Sequence, residues 1–286
     1  MRTLQLGPRC NNACIFCANA ADPAALEPSE KELANALDAL DALDAIAPTD
    51  VLVLVGGEPT LRSDLPALVR RAKQHGVTRI VLRTNARRLA YASYAAELAA
   101  AGVDGLDVGL HGSSAAMHDY HTNVSGSFAQ TVRGVSHAVK AGMRVAVTCV
   151  VTRSNFRHLA EVVQRGETLG VAVVQFRSPD LTGRAAMARE RIVAHPELVV
   201  AHLRRAREQG RRLGVAVMID PALTLAPGEA DQADGQTGAS ELGVSELGIS
   251  AKANPARAEA RGRERRSGDD LRDILPALFD PKETER

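Results

Sequence analysis

Apolar positions along the chain fall into two kinds of stretch that alternate. Short runs rich in β-branched residues occur at 4–6, 51–55, 79–82, 105–110, 144–151, 171–176 and 215–219. The run at 51–55, Val-Leu-Val-Leu-Val, is apolar at every position, the pattern of a strand covered on both faces. Between the runs, apolar residues recur at helical spacing. Ser29 followed by Glu32 is a capping box, and Leu33, Leu37, Leu40 and Leu43 then lie along one helical face. Leu65, Leu68, Val69 and Ala72 form a second stripe, which Gly76 stops. The stretches 162–170 and 198–214 end on glycine in the same way. Alternation at this spacing predicts βαβ units and a parallel sheet. The six or seven units are too few for a closed eight-fold barrel, so an open or partial barrel is expected.

The pattern breaks after Pro221. Residues 227–268 are rich in Gly, Ala, Ser and charge, with no sustained apolar period. They include a short tandem repeat, Glu241-Leu-Gly-Val-Ser then Glu246-Leu-Gly-Ile-Ser, with acids dominant before Ala251 and bases from Lys252 to Arg266. This composition reads as a solvated linker. An apolar stripe returns at Leu271, Ile274, Leu275, Leu278 and Phe279. The expected organisation is a core over 1–220, a low-complexity flexible linker over 221–268 and a short C-terminal helix over 269–286 that docks back on the barrel.

Composition narrows the class further. Hydrophobic residues make up 45% of 286, ample for one large core, and with 3% aromatics and no Trp that core is built mainly from Ala, Val and Leu. A net charge of +1 gives no global attraction to nucleic acid or to an anionic membrane. No apolar run reaches the roughly 18 residues of a membrane span, and the opening Met1-Arg2-Thr3-Leu4 has no signal-peptide core. A soluble, cytoplasmic protein without membrane or nucleic-acid partners is expected.

Three of the four cysteines, Cys10, Cys14 and Cys17, form a C-x₃-C-x₂-C set directly after the first apolar run. Clustering of this kind argues against a disulfide framework and for metal ligands. Thiolates suit iron–sulfur clusters and zinc. Cubane clusters normally take four thiolates, so three neighbours leave one iron free for a non-protein ligand. A structural zinc site takes four ligands, usually from paired C-x₂-C units, and no second pair mirrors this one. Unligated cysteines are the remaining alternative. Cys149, inside the run at 144–151, reads as a buried structural thiol. Gly56-Gly57-Glu58-Pro59-Thr60-Leu61 ends the second run and by itself reads as a turn.

Taken together, the cysteine loop, with Phe16 just before its third cysteine, and the Gly-Gly-Glu-Pro block resemble the signatures of the radical S-adenosylmethionine (SAM) superfamily over roughly residues 1–220. The resemblance implies a partial (β/α)6-type parallel barrel. It implies that Cys10, Cys14 and Cys17 hold a [4Fe-4S] cluster whose fourth iron SAM chelates. Reductive cleavage of SAM then yields a 5′-deoxyadenosyl radical that abstracts hydrogen from substrate. The non-catalytic alternative is a zinc or iron–sulfur binding module or scaffold.

Cofactor contacts are expected from Phe16, Gly56, Gly57, Glu58, Pro59, Thr84 and Asn155, with the two glycines giving close backbone approach to the SAM ammonium group. Thr84-Asn85 ends the third run, where parallel α/β folds gather ligand contacts. Arg62, at a position that can meet an anionic substrate in related enzymes, reads by default as a surface arginine. Many relatives carry Ser where this chain has Gly109, a hydroxyl that often meets the SAM ribose, so Thr152 or Asn155 is expected to take over that contact. His111, His118 and His121 lack a flanking ligand set for a second metal. His118-Asp119 with Gly126-Ser127-Phe128 resembles a stretch that shapes a loop in peptide- and cofactor-modifying members. No cysteine follows Cys149, so a single cluster is expected. The implied partners are an external flavodoxin- or ferredoxin-like electron donor and a peptide or cofactor precursor as substrate.

Overall fold

The computed structural model describes residues 1–18, 28–44, 51–224 and 278–279. Seven strands form one sheet: β1 (Arg2–Gln5), β2 (Val51–Val55), β3 (Arg79–Thr84), β4 (Gly105–Gly109), β5 (Arg144–Val150), β6 (Val173–Arg177) and β7 (Ala216–Ile219). Every neighbouring pair is parallel, and the spatial order is the sequence order. An unreversed order of right-handed crossovers puts the helices on one side and curls the sheet about the other. The result is an α/β partial barrel, not closed between β1 and β7.

The crossovers carry α1 (Glu30–Asp44), α2 (Leu65–Gln74), α3 (Ala92–Ala101), α4 (Ala115–Thr122), α5 (Ser127–Lys140), α6 (Leu159–Thr168), α7 (Gly183–Met187), α8 (Arg189–Ile192) and α9 (Pro196–Leu213). The capping box is formed at the head of α1: Ser29 N–H donates to Glu32 Oε2 at 2.7 Å, and Glu32 N–H donates to Ser29 Oγ at 3.2 Å. At the head of α5, Asp119 accepts from Gly126 N, Ser127 Oγ and Phe128 N, so the His-Asp and Gly-Ser-Phe segments shape that turn.

Alternation along the strands separates two apolar layers. Leu52, Leu54, Ile80, Leu82, Leu106, Val108, Val145 and Val147 face the helices in one large core. Val53, Val55, Val81, Ala146 and Val173 face the lumen, and buried Leu278 packs among them. Leu278 O accepts from Arg144 Nη1 at 3.1 Å, and the Arg79 guanidinium lies 4.6 Å over the Phe279 ring. These contacts are at the N-terminal ends of β3 and β5, the end away from the cysteine loop. Apart from residues 221–224 and 278–279, the expected linker and C-terminal helix lie outside the described residues, as do the tandem repeat and the charge switch. No described helix is long and apolar enough to cross a membrane.

Candidate active site

The loop after β1 and the turn after β2 are bonded to each other at the C-terminal mouth of the barrel. Gly57 N–H donates to Gly7 O at 2.8 Å, and Glu58 N–H donates to Arg9 O at 2.7 Å. A Cβ at Gly56 would sit 2.6 Å from Gly7 O, and one at Gly57 would sit 2.3 Å from both Pro8 O and Arg9 O. The close approach that these glycines permit is therefore between two loops of the protein itself. Pro59 is buried at the start of the tight turn Pro59–Leu61.

Glu58 is 2% exposed and sits under this junction. Thr60 N (3.0 Å), Thr60 Oγ1 (2.6 Å) and Thr84 Oγ1 (2.6 Å) donate to its Oε1, and Asn85 N (2.6 Å) donates to its Oε2. Burial pushes the carboxyl up from its ordinary value, and the four donors oppose that shift. Thr84 thus reaches the site through Glu58. Asn85 ties the third strand to the cysteine loop, its Nδ2 donating to Asn11 Oδ1 at 2.7 Å and lying 4.0 Å from Cys10 Sγ. Arg87, which no sequence signal singles out, donates to Asn11 O and, at 2.9 Å, to Asn12 Oδ1. Arg62 forms a clamp within the protein, pairing with Asp64 at 2.6 Å and donating to Leu6 O and Pro28 O.

The far side of the loop rests on α4 and α7. Ala13 N donates to Thr122 O at 2.9 Å, Ile15 N to His121 O at 3.0 Å, and Arg184 N to Cys17 O at 3.1 Å. Phe16 is buried against Ala185 and Ile192 and meets the His111 ring edge-on at 4.7 Å. Cys10 is exposed and accepts from Asn12 N at 3.3 Å, while Cys14 and Cys17 are half-buried. Burial, then the neighbouring Cys17 and Cys10, push the Cys14 thiol up to about 12, and desolvation raises Cys10 as well. Among the described residues, no three His, Cys, Asp or Glu side chains converge as a single metal ion would require.

Behind Phe16 lie three buried histidines. Val150 N donates to His111 Nδ1 at 3.3 Å, and His111 N donates to His118 Nδ1 at 3.1 Å. His121 bonds Met117 O at 2.7 Å and Thr152 Oγ1 at 2.8 Å. Asn155 is fully buried: its Nδ2 donates to His111 O at 3.0 Å and Val150 O at 2.9 Å, and its Oδ1 accepts from Thr152 N at 2.7 Å. The Thr152 hydroxyl therefore joins the loop after β5 to His121 on α4, and Asn155 joins it to the backbone of His111. Cys149 is buried in the outer core, its thiol pushed up to about 12 by burial.

The radical SAM superfamily model matches residues 4–165, more than half of the chain. The chain belongs to this superfamily. Among its relatives is an AdoMet-dependent heme synthase of Oleidesulfovibrio alaskensis, 30% identical over 190 residues, a match covering 66% of this chain and 47% of that one. A probable GTP 3′,8-cyclase of Sulfurisphaera tokodaii is 28% identical over 166 residues, covering 57% of this chain and 50% of the other. The chain spans about half the length of the curated relatives it matches. The fold is shared with Streptococcus suis SuiB bound to S-adenosylmethionine, at a TM-score of 0.61 and 14% identity, covering 77% of this chain and 49% of that one.

As a radical SAM protein the chain is an enzyme whose cofactors are a [4Fe-4S] cluster and SAM. The donor set fits the cluster. Cys17 is near enough to raise the pKa of both Cys10 and Cys14, so thiolates gathered on this short loop are stable together only beside compensating positive charge.

Proposed function

We propose that this enzyme holds an organic substrate in the barrel lumen, below the mouth, and removes a hydrogen atom from it. When bound, the cluster and SAM supply the 5′-deoxyadenosyl radical for that step. In this reading Cys10, Cys14 and Cys17 hold the cluster, and the Gly56–Glu58 turn fixes the adjoining edge of the SAM site. The observation that carries the reading is the direct bonding of that turn to the cysteine loop, through Gly57 and Glu58 N–H groups at 2.8 and 2.7 Å.

Lumen chemistry supports a polar substrate over an apolar floor. Val53, Val81, Ala146 and Val173 close the bottom together with Leu278. Above them Arg83 pairs with buried Asp107 at 2.9 Å, and Thr148 Oγ1 donates to Asp107 Oδ1 at 2.6 Å. Gln175 Oε1 lies 3.3 Å from the same hydroxyl. A few fixed polar groups in a concave apolar site orient a ligand while the walls exclude water.

Sequence similarity to a heme synthase and a GTP cyclase favours a small cofactor precursor as substrate. A peptide is the second reading, supported by SuiB having also been crystallised with its precursor peptide SuiA. The electron comes from an external flavodoxin- or ferredoxin-like protein in either reading.

Anaerobic reconstitution tests the assignment. About four irons per chain are expected for this cluster type, and dithionite with SAM should release 5′-deoxyadenosine. Cys14→Ala is expected to abolish both signals, and their survival in that variant would overturn the reading. Deuterated precursors and deuterated peptides, offered in parallel, identify the substrate class by which one transfers its label into 5′-deoxyadenosine.

A further inference from the structure

The two short helices that follow β6, α7 and α8, lie directly on the cysteine loop. Gly183 opens α7 with a φ of +53°, and a Cβ there would sit 2.6 Å from Cys17 O and 2.7 Å from Ala18 O. Arg184 N donates to Cys17 O at 3.1 Å, and its Nη1 donates to Cys14 O at 3.4 Å. On the inner side Ala185 and Ile192 are buried against Phe16, which lies between Cys14 and Cys17. One helix thickness, about 10–12 Å, therefore separates the cysteine loop from the outer face of this segment.

That outer face combines positive charge with an exposed apolar side chain. From Ser178 to Ala194 the charged residues are Asp180, Arg184, Arg189, Glu190 and Arg191, and all are exposed. Arg153, also exposed, joins them: its Nη1 donates to Glu190 O at 2.7 Å and its N to Ile192 O at 3.0 Å. Arg191 Nη2 donates to Tyr120 Oη at 3.4 Å, which brings a half-exposed aromatic ring to the same face. Met187 is 89% exposed, and a long apolar side chain left in water contributes nothing to the fold. Arg, Met and Tyr are the residue types enriched where proteins meet one another, whereas Lys, Glu and Asp are depleted there. α9 carries more arginines, but it packs on α6 and β7 along the barrel wall.

We propose that the α7–α8 face, centred on Met187, Arg189 and Arg191, docks the acidic surface of the one-electron carrier protein that reduces the cluster. The inference rests on the reading in which Cys10, Cys14 and Cys17 hold that cluster. Electron transfer weakens steeply with distance, so a carrier must dock where little protein intervenes. The Arg184 N–H to Cys17 O bond joins this face directly to the cysteine loop. Four arginines against two carboxylates select a partner of negative charge, which the patch also steers toward the loop. Redox partners meet through small, transient interfaces, which a segment of this size can supply. In each encounter the carrier's reduced centre gives up one electron and is oxidised by one, and the cluster accepts it and is reduced by one, with no bond made or broken between the proteins.

The test reads binding as well as turnover. An oxidised flavodoxin of strongly negative net charge is titrated calorimetrically into the anaerobically reconstituted protein. Arg189→Glu with Arg191→Glu should weaken binding about five- to thirtyfold at low salt, as expected for reversing two exposed charge pairs. The difference should close as salt is added. Arg205→Glu with Arg212→Glu on α9 makes the same change of net charge elsewhere and should shift affinity by less than about twofold, because distant exposed charges are screened. With flavodoxin as reductant, 5′-deoxyadenosine release should fall in the α7–α8 variant. With dithionite, a small reductant that needs no docking surface, it should match wild type. Wild-type affinity in the α7–α8 variant overturns the proposal. So does an equal loss in the two double variants, because net charge and not this face would then govern binding. If the glutamate variant holds less iron, the same titration on Arg189→Gln with Arg191→Gln decides. A wild type that releases no 5′-deoxyadenosine with dithionite would instead overturn the underlying reading.

Discussion

Thr84 Oγ1 donates to Glu58 Oε1 at 2.6 Å, joining the end of β3 to the turn after β2 inside the buried floor of the mouth. The same hydroxyl accepts from Ala86 N at 3.0 Å, so one side chain both holds the carboxylate and shapes its own turn. Thr84→Val keeps the shape and removes both bonds. It is expected to lower unfolding free energy by about 1–3 kcal/mol, the range for leaving a buried polar group short of a partner. Guanidinium denaturation of wild type and variant reads this directly, and equal midpoints would show that the carboxylate does not depend on Thr84.

Gly57→Ala tests the junction of the two loops. The new methyl would lie 2.3 Å from two backbone carbonyl oxygens, and neither is the end of a flexible side chain. The loops must separate, at a cost of about 1–3 kcal/mol or more for overpacking. Reconstituted iron content should fall together with the melting temperature. Gly76→Ala is the control: its added Cβ meets nothing within 4 Å, and although its φ of +82° disfavours alanine, iron content should stay at the wild-type level.

Leu278 is fully buried among lumen valines, far from the cysteines in sequence. Leu278→Ala should destabilise the fold by about 2–5 kcal/mol, as for other buried leucines. Cluster content at low temperature should be retained, because the plug lies at the opposite end of the barrel. A variant with wild-type stability would show that the C-terminal segment contributes nothing to the core.

Acidification should weaken the fold through the histidines behind Phe16. His118 is held at about 4 by burial, and His111 and His121 are also lowered. A depressed folded value means that the stability contributed by the neutral ring is complete above about pH 6.5 and is lost as pH falls through about 4. Unfolding free energy should therefore drop across that window, and His118→Gln, which cannot titrate, should flatten the slope. Parallel pH profiles for wild type and variant would remove His118 from this account.

The residues that sequence alone brings out are those whose chemistry is local. A C-x₃-C-x₂-C set lies within one short segment, so Cys10, Cys14 and Cys17 stand out as candidate ligands without a fold, and period-2 and period-3.6 patterning predicts the βαβ units. What each polar residue touches is decided by strand order, which no local pattern encodes. Parallel pairing of β2 with β3 sets Thr84 and Asn85 against Glu58, 26 and 27 positions away, and brings Asn85 and Arg87 to Asn11. The same is true of the glycines: the sequence marks Gly56 and Gly57 as places of close approach, but only the packing of β1 beside β2 shows that the approaching group is the Gly7–Arg9 backbone. Gly109 shows the difference most clearly. In the sequence it is a missing side chain, and only the folded chain shows that the His111 imidazole stands beside that space. Sequence fixes which groups the chain possesses, and tertiary structure decides which of them meet, because contacts between strands depend on sheet order and register and not on distance along the chain.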